Sequence, residues 1–250
     1  MPHYTVIIPA YNEAKNLPAT LASVRSAVTA LGRPAEIIVV DNNSSDDTAT
    51  VARTHGATHV VFEPHNQIAR ARNAGAASAS SPFLVFLDAD TFLPGKLLAT
   101  ALNALDSGNH TGGGARVVTD RPFPPAFQFV LSSWEHVSKL FSYAAGSFLF
   151  CRRDAFHDVG GFPETVYAGE EVHLSMSLKR WSRHHGKYFT VIPDPPVITS
   201  ARKADWFSPL QLLAQIIVGL MPFATRSRAL CWIWYHRPES TTPTPGTAES

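Results

Sequence analysis

Two aspartates, Asp88 and Asp90, follow an apolar run at residues 83–87 and could place both carboxylates on one side of an extended chain. A short apolar run bounded by proline and by acids is typical of a buried strand in a covered parallel sheet. Ligands bind beyond the carboxyl ends of such strands. The two carboxylates could therefore hold a hard divalent cation, which would neutralise a diphosphate. From this triplet alone, a loop that caps a helix is an equally open interpretation.

A second acidic pair, Glu170 and Glu171, stands after Gly169 at the start of a helical pattern whose buried face would carry Leu174 and Leu178. Acids at a helix N-terminus are favoured by the helix dipole, so the pair could simply stabilise the helix. An acid in this position can also project into the mouth of a sheet, within reach of a proton that it could abstract.

The elements that must position these acids are β-loop-α units. Apolar, β-branched runs predict strands, and 3.6-residue spacing predicts the helices between them. The predicted strands lie at 4–9, 36–41, 58–62 and 82–87, and the predicted helices include 16–31 and 67–80. Alternating strands and helices predict a parallel sheet with right-handed crossovers. Asp41 and Asp88 would then lie at the same edge of that sheet.

Local signals fix some boundaries. Gly32 can end the first helix, and Ser44 and Asp47 have capping-box spacing for the next one. The second half of the chain is less regular. The glycines at 112–114 precede a predicted strand, a Pro-rich loop is expected at 121–125, and a helical pattern at 127–141 could border an acceptor groove or pack on the sheet. Further strands are expected at 145–153, 191–193 and 196–203.

Basic side chains near these elements have two interpretations. Arg70 and Arg72 lie on the predicted helix at 67–80, where at least one should be solvated and the other could reach a phosphate. Arg202 and Lys203 end the last predicted strand and could close over a diphosphate or stay in a solvated loop.

Four motifs in the same order resemble those of family 2 glycosyltransferases with the GT-A fold. They are PAYNE at 9–13, VVDNNSSDDT at 39–48, RNAG at 72–75 and DAD at 88–90. Each motif is weak alone, but together they match roughly the first 95 residues closely. The resemblance implies an α/β fold with a Rossmann-like, mainly parallel sheet flanked by helices.

The resemblance also implies roles for residues at the strand ends. Asp41 would accept a hydrogen bond from the base, Asp88 would lie by the ribose or the metal, and Asp90 would ligate the metal. The full set implied to bind the nucleotide sugar is Pro9, Ala10, Tyr11, Glu13, Asp41, Arg72, Asp88, Ala89 and Asp90.

The pair at Glu170 and Glu171 is similar to an acidic pair of the same family, usually Glu-Asp, whose second acid is the catalytic base. Here the second side chain is one methylene longer, so both acids stay candidates. We predict that Glu171 is the general base and that Glu170 orients the loop or an acceptor hydroxyl.

The activity implied is the inverting transfer of a sugar from a nucleoside-diphosphate sugar to an acceptor hydroxyl or a lipid phosphate. UDP is the favoured nucleotide, and Mn²⁺ or Mg²⁺ is the implied cofactor. The acceptor would be a sugar, a lipid or a small molecule. A sugar nucleotidyltransferase is the rival enzyme, but it typically needs a Gly-rich, basic phosphate loop where this chain has PAYNE. A non-catalytic nucleotide-sugar-binding module would be favoured if the acids near residue 170 lay far from the donor.

The composition limits which ligands and which cellular location are expected for the protein. The chain has 21 basic and 20 acidic residues, a balance that argues against a nucleic-acid-binding surface. Its two cysteines offer no disulfide framework, and no signal-peptide pattern precedes the first strand, so a reducing, cytoplasmic location is expected.

The C-terminal part has a different character. Residues 210–221 are apolar apart from Gln211 and Gln215, which share one helical face, and arginine, tryptophan and tyrosine residues follow. This amphipathic helical extension suits peripheral contact with the inner face of a membrane, packing on the catalytic domain, or a homo-oligomer interface. We expect a GT-A domain at 1–205, with a nucleotide-sugar half at 1–95 and an acceptor half at 96–205. A helical segment at 206–237 and a disordered tail at 238–250 would follow.

Overall fold

The computed structural model describes residues 1–122, 146–221 and 223–235. In these ranges an eight-stranded sheet has the order β3-β2-β1-β4-β7-β6-β8-β5. The strands are β1 Tyr4–Ala10, β2 Ala35–Asp41, β3 His59–Phe62, β4 Phe83–Leu87, β5 Thr91–Phe92, β6 His110–Thr119, β7 Phe148–Arg152 and β8 Tyr188–Thr199. The longer helices are α1 Leu17–Leu31, α2 Thr48–Thr54, α3 Ile68–Ser78, α4 Gly95–Asp106, α5 Arg153–Asp158 and α6 Glu170–His184. The C-terminal helices are α7 Lys203–Trp206, α8 Pro209–Leu220 and α9 Trp232–Tyr235.

The sheet is covered on both faces, which explains why its central strands are apolar throughout rather than alternating. Successive side chains of a strand point to opposite faces. Val6 and Ile8 of β1 accordingly join the core beneath α1 and α4, while Ile7 between them joins the core beneath α3 and α6. The predicted mainly parallel sheet is confirmed in β1, β2, β3 and β4, which pair in parallel.

β7 interrupts the parallel arrangement, because it lies antiparallel between β4 and β6. Leu87 at the end of β4 is therefore opposite Phe148 at the start of β7. The residues just before β7 meet the residues just after β4, and the Asp88 N–H donates to the Ser147 carbonyl at 3.3 Å. One edge of the sheet thus collects chain segments that are far apart in sequence.

The glycines at 112–114 lie inside β6 and not before it, which corrects the predicted boundary. A Cβ on Gly113 would overlap with the Thr190 carbonyl oxygen of β8, and one on Gly112 would overlap with the Phe150 carbonyl oxygen of β7. Glycine is needed here because two neighbouring backbones approach this strand closely.

Two other local predictions were wrong. The late strands form one continuous strand, β8. Ser44 does not cap α2, which has Asp47 at its N-cap position without a side-chain capping bond. Ser44 Oγ instead accepts from the Asn12 N–H, because the loop carrying it is held by the loop that follows β1. The predicted stop of α1 at Gly32 is confirmed, with a left-handed φ of 63°.

The C-terminal segment packs on the sheet domain at one end and exposes apolar side chains at the other. Cys231 and Ile233 are buried, and the Tyr235 hydroxyl donates to the Tyr167 carbonyl at 3.0 Å. Gln211 and Gln215 both lie in the helix α8, as predicted, but Gln211 closes its capping box whereas Gln215 is buried.

Among the described helices, none combines the length and the apolar character that crossing a membrane requires. The helix predicted at 127–141, most of the loop at 121–125 and the tail at 238–250 lie outside the described residues.

Candidate active site

The loops after β1 and β2 are joined side by side at the carboxyl edge of the sheet. The Asn12 N–H donates to Ser44 Oγ at 3.0 Å, and Asn12 Oδ1 accepts from the Ser45 N–H at 2.8 Å. Asn12 has a φ of 51°, a left-handed conformation that asparagine tolerates better than most residues. Pro9 and Ala10 end β1 directly before this turn, and Tyr11 follows them half-buried. These contacts hold the two loops together as one corner at the edge of the sheet.

Asp41 closes the same corner from β2. It is 9 % exposed, and its Oδ1 accepts from the Ser44 N–H at 3.0 Å. One carboxylate oxygen therefore shapes the loop.

Arg72 lies beneath this edge and ties two acids together. Its guanidinium donates through Nη1 to Glu170 Oε1 at 2.6 Å, and through Nη2 to Asp88 Oδ1 and the Gly146 carbonyl, both at 2.9 Å. The side chain is 2 % exposed. Burial acts to lower the pKa of Arg72, but the charges of Asp88 and Glu170 raise it, so the guanidinium stays charged. The start of α6 is thereby connected to the loop after β4.

The other residues of the RNAG motif explain how Arg72 is held in place. The Asn73 side-chain amide donates to the Phe162 carbonyl and accepts from the Phe162 N–H, both at 2.9 Å. Gly75 lets α3 approach the sheet, because a Cβ there would overlap with the Ile7 side chain. The Phe162 ring in turn lies 5.2 Å from the Arg72 guanidinium carbon.

Glu170 and Glu171 have different environments, although they are adjacent. Glu170 is 4 % exposed and engaged with Arg72, whereas Glu171 is half-buried. Burial raises the pKa of Glu171 to about 8, the negative charge of Glu170 adds to the rise, and Arg72 opposes it. A Cβ added at Gly146 would lie 3.6 Å from Glu171 Oε1, which places this carboxyl group against the residues before β7. A group with so high a proton affinity can serve as a base once it is deprotonated.

A second, half-buried cation, Arg202, follows β8. Its Nη1 donates to Glu13 Oε2 at 2.6 Å, its Nη2 contacts Glu13 Oε1, and the same Nη2 lies 2.9 Å from Asp90 Oδ2. The Ser200 N–H also donates to the Asp90 carbonyl at 3.1 Å. The end of β8 is therefore joined to the loop after β4 as well as to the loop after β1.

Acidic groups outnumber basic ones in this connected network. Its cations are Arg72 and Arg202, and its carboxylates are those of Glu13, Asp88, Asp90, Glu170 and Glu171. The side chains of Asp88 and Asp90 are 28 % and 14 % exposed, so solvent reaches both. In the described part of the chain no group of three or more His, Cys, Asp or Glu side chains could hold a metal ion. Two aspartates fit a cation such as Mg²⁺, which is usually bound through one or two carboxylates with substrate phosphates and water completing its shell.

The structure brings most of the sequence-predicted residues to one edge of the sheet. Asp88 and Asp90 flank Ala89, whose carbonyl accepts from Thr20 Oγ1 at 2.8 Å. Two residues lie differently from expectation. The terminal guanidinium nitrogens of Arg72 are bound to Glu170, Asp88 and Gly146 beneath the site, and the Glu13 carboxylate is paired with Arg202. Arg70 is the solvated arginine of α3, paired at 3.2 Å with Glu164.

Sequence reasoning missed the parts played by Asn73, Gly146 and Trp206. The Trp206 ring lies 5.0 Å from the Arg202 guanidinium carbon. Asn73 had a signal, its place within the RNAG motif. Gly146 had none, because its role depends on the antiparallel insertion of β7.

Comparison with known proteins places the chain in a family. A family model described as glycosyl transferase family 2 matches residues 5–159, and the chain belongs to that family. An uncharacterized glycosyltransferase of Mycobacterium tuberculosis is 41 % identical over 122 residues, which cover 49 % of this chain and 50 % of the relative. The glycosyltransferase AglE of Haloferax volcanii is 30 % identical over 184 residues, covering 69 % of this chain and 60 % of AglE. The match to the mycobacterial relative thus spans about half of that protein's length.

Solved structures show that the fold is of the GT-A type. A mannosyltransferase from Pyrobaculum calidifontis, solved with GDP-mannose and Mn²⁺, has a TM-score of 0.65 at 23 % identity, covering 90 % of this chain and 65 % of its own. Glucosyl-3-phosphoglycerate synthase from Mycobacterium tuberculosis, solved with Mn²⁺, UDP and phosphoglyceric acid, has a TM-score of 0.62 at 18 % identity, covering 92 % and 78 %. The predicted fold class is confirmed.

Proposed function

We propose that this protein is an inverting glycosyltransferase that moves a sugar from a nucleoside diphosphate to an acceptor hydroxyl or a lipid phosphate. UDP is the nucleotide that we favour. The observation that carries the proposal is the Arg72 bridge. Through Nη1–Oε1 and Nη2–Oδ1 distances of 2.6 and 2.9 Å, it holds the acidic start of α6 against the aspartate loop after β4. A base and a diphosphate site would thereby be adjacent.

Asp88 and Asp90 would hold a divalent cation, Mn²⁺ or Mg²⁺. When bound, such a cation stabilises the negative charge that develops on the leaving diphosphate. Pro9, Ala10, Tyr11 and Asp41 line the corner that would receive the nucleoside. In this proposal residues 1–95 supply the nucleotide-sugar half of the site, and residues 96–205 supply the acceptor half.

Glu171 would be the base. Its carboxylate would take the proton of the acceptor hydroxyl while the acceptor oxygen bonds to the anomeric carbon and the bond from that carbon to the diphosphate oxygen breaks. Displacement from the face opposite the leaving group inverts the anomeric carbon. Glu170 is less suited to this role, because Arg72 already occupies its carboxylate.

The contacts argue against the two rival functions. The turn after β1 is built from Tyr11, Asn12 and Glu13, and it is not the Gly-rich, basic loop that a nucleotidyltransferase typically uses. A non-catalytic binding module would not need an acidic pair near its diphosphate site, whereas here Arg72 joins that pair to Asp88.

A donor screen tests the proposal. The purified protein is incubated with individual UDP-, GDP- and dTDP-sugars and Mn²⁺, and mass spectrometry detects slow hydrolysis of one of them. We expect hydrolysis of a UDP-sugar that is lost in chelator and in Asp90→Ala. Asp106→Ala, which removes an exposed aspartate outside the site, is the matched control. Full activity in chelator would contradict the metal role, and release of nucleoside monophosphate would indicate nucleotidyl transfer.

The C-terminal segment bears on the acceptor. Leu210, Ile217 and Phe223 are 78 %, 46 % and 86 % exposed, and Arg226 and Arg228 are exposed beside them in sequence. Apolar side chains accompanied by arginines suit peripheral contact with the anionic inner face of a membrane, where a lipid phosphate acceptor would lie. A homo-oligomer formed through the same side chains is the alternative.

A further inference from the structure

Arg202 joins three loops at the candidate site through a nearly buried cluster of charges. The side chains of Arg202, Glu13 and Asp90 are 14 %, 3 % and 14 % exposed. Glu13 binds the guanidinium through both carboxylate oxygens, and Asp90 Oδ2 lies 2.9 Å from Nη2. The two pairs differ, because Glu13 accepts at both ends of the guanidinium whereas Asp90 contacts it at one nitrogen.

The contact with Asp90 conflicts with metal binding by the same side chain. A divalent cation would lie about 2.1 Å from its carboxylate ligands. The guanidinium already lies at hydrogen-bond distance from Asp90, so both positive groups would be within a few ångströms of each other in a site that water reaches only in part. Like charges repel strongly under these conditions. The divalent metal ion can therefore bind tightly only if Arg202 turns away from Asp90.

A diphosphate would offer Arg202 a new partner. Arginine binds phosphate oxygens through paired N–H groups, and such charge-assisted bonds are stronger than neutral ones. Arg202 Nε is buried, and in the described part of the chain it has no hydrogen-bond partner, so a turn of the side chain toward such an oxygen would give this donor a partner. Glu13 would keep the Arg202 guanidinium within the site while the guanidinium exchanges its contact with Asp90 for one with the diphosphate.

We propose that Arg202 is the internal counter-ion of Asp90 and competes with the divalent cation, so that the cation binds tightly only together with a nucleoside diphosphate. This inference rests on the proposed function and adds that the metal and the donor bind cooperatively, each strengthening the binding of the other. Coupling of this kind is reciprocal, so the cation must strengthen nucleotide binding by the same factor.

Mn²⁺ binding measured by electron paramagnetic resonance tests the inference without any turnover. Free Mn²⁺ is titrated against the full chain alone, with UDP and with GDP. We expect weak binding to the chain alone and binding at least about tenfold tighter with one nucleotide, which is within the usual range of coupling. In Arg202→Gln, Mn²⁺ alone should bind about tenfold more tightly and the nucleotide effect should shrink to a few-fold. Arg202→Lys should stay close to the wild type, because it keeps a cation beside Asp90.

Controls separate failure of this inference from failure of the proposed function. Arg33→Gln removes an arginine paired with Asp106 and should leave Mn²⁺ binding unchanged. Thermal unfolding verifies that each variant is folded. If Arg202→Gln does not fold, the wild-type titrations decide the matter, because Mn²⁺ binding that is equally tight without nucleotide would overturn the inference. Binding lost in Asp90→Asn but unaltered in a folded Arg202→Gln would overturn the inference alone. Mn²⁺ binding that neither nucleotide strengthens would also overturn the inference. Mn²⁺ binding that survives in Asp90→Asn would overturn the inference and would also remove the metal site from the proposed function.

Discussion

At the scale of single residues, the two glutamates that begin α6 show how the environment assigns different roles to adjacent acids. Glu170 is fixed by Arg72, and Glu171 is not. The side chain of Glu171 is one methylene longer than the usual aspartate, and Arg72 acts on it through charge while being hydrogen-bonded to Glu170. The different burial of the two side chains favours Glu171 as the group that meets an acceptor.

Isosteric substitution should separate the two roles. In Glu171→Gln we expect donor and metal affinity to be retained and turnover to fall by about 10²-fold or more, the usual contribution of a positioned base. In Glu170→Gln we expect lower stability and weaker donor binding, because the Arg72 charge loses a buried partner. Calorimetry for affinity and a steady-state assay for turnover measure both variants. If Glu170→Gln alone abolished turnover, the base would be Glu170.

The rate should also depend on pH through Glu171. Its pKa is raised to about 8, first by burial and then by the charge of Glu170. A base works only when deprotonated, so we expect kcat/KM, which reports the free enzyme, to be low at pH 6 and to rise through pH 8. Removing the Glu170 charge should lower the pKa of Glu171 and shift this rise to lower pH in Glu170→Gln. A flat profile between pH 6 and 9 would show that no such base is needed.

At the scale of elements, α3 places Arg72 through contact with the sheet at Gly75. We expect Gly75→Ala to lower the free energy of unfolding by about 1–3 kcal/mol, because its Cβ would overlap with the Ile7 side chain. Gly219→Ala is the matched control, since nothing lies within 4 Å of a Cβ there and alanine favours a helix over glycine by up to about 1 kcal/mol. Urea denaturation compares the two, and equal effects would mean that α3 can shift without cost.

The elements also show how far sequence could predict this structure. β1 to β4 and their acidic ends were predictable, because buried parallel strands carry continuous apolar runs with polar residues after them. The insertion of β7 was not, since antiparallel pairing with β4 has no local signature. The bonds from Arg202 to Glu13 join residues 189 apart, and Ser44 was misassigned because its partner, Asn12, lies in another loop.

At the scale of the whole molecule, the C-terminal segment has two sides. Its end is anchored, as the Tyr167 N–H donates to the Thr225 carbonyl at 2.6 Å. Leu210 and Ile217 of α8, and Met221 and Phe223 after it, are exposed instead. The segment is therefore attached to the rest of the chain at Tyr167 while these apolar side chains stay exposed.

Vesicle binding tests what that face meets. We expect the intact chain to sediment with anionic vesicles and a chain ending at Asp205 not to do so. Because that truncation also removes the contact at Tyr167, the double variant Ile217→Ser and Phe223→Ser is the sharper test and should lose most of the binding. Phe62→Ser removes a side chain that is 61 % exposed on β3 and should bind normally. Equal sedimentation of all four proteins would favour packing within the protein or a partner subunit.

The place of β7 in the sheet also has a consequence for biosynthesis. Four neighbouring strands, β3-β2-β1-β4, are complete once residue 87 has been made, but β4 pairs on its other side with β7 at residues 148–152. Translation adds about 5–20 residues per second, so the roughly 60 residues between them leave β4 with an open edge for about 3–12 s. All five residues of β4 are buried in the finished fold. Every nascent chain thus passes through a stage that offers an unpaired apolar strand to its neighbours on the polysome.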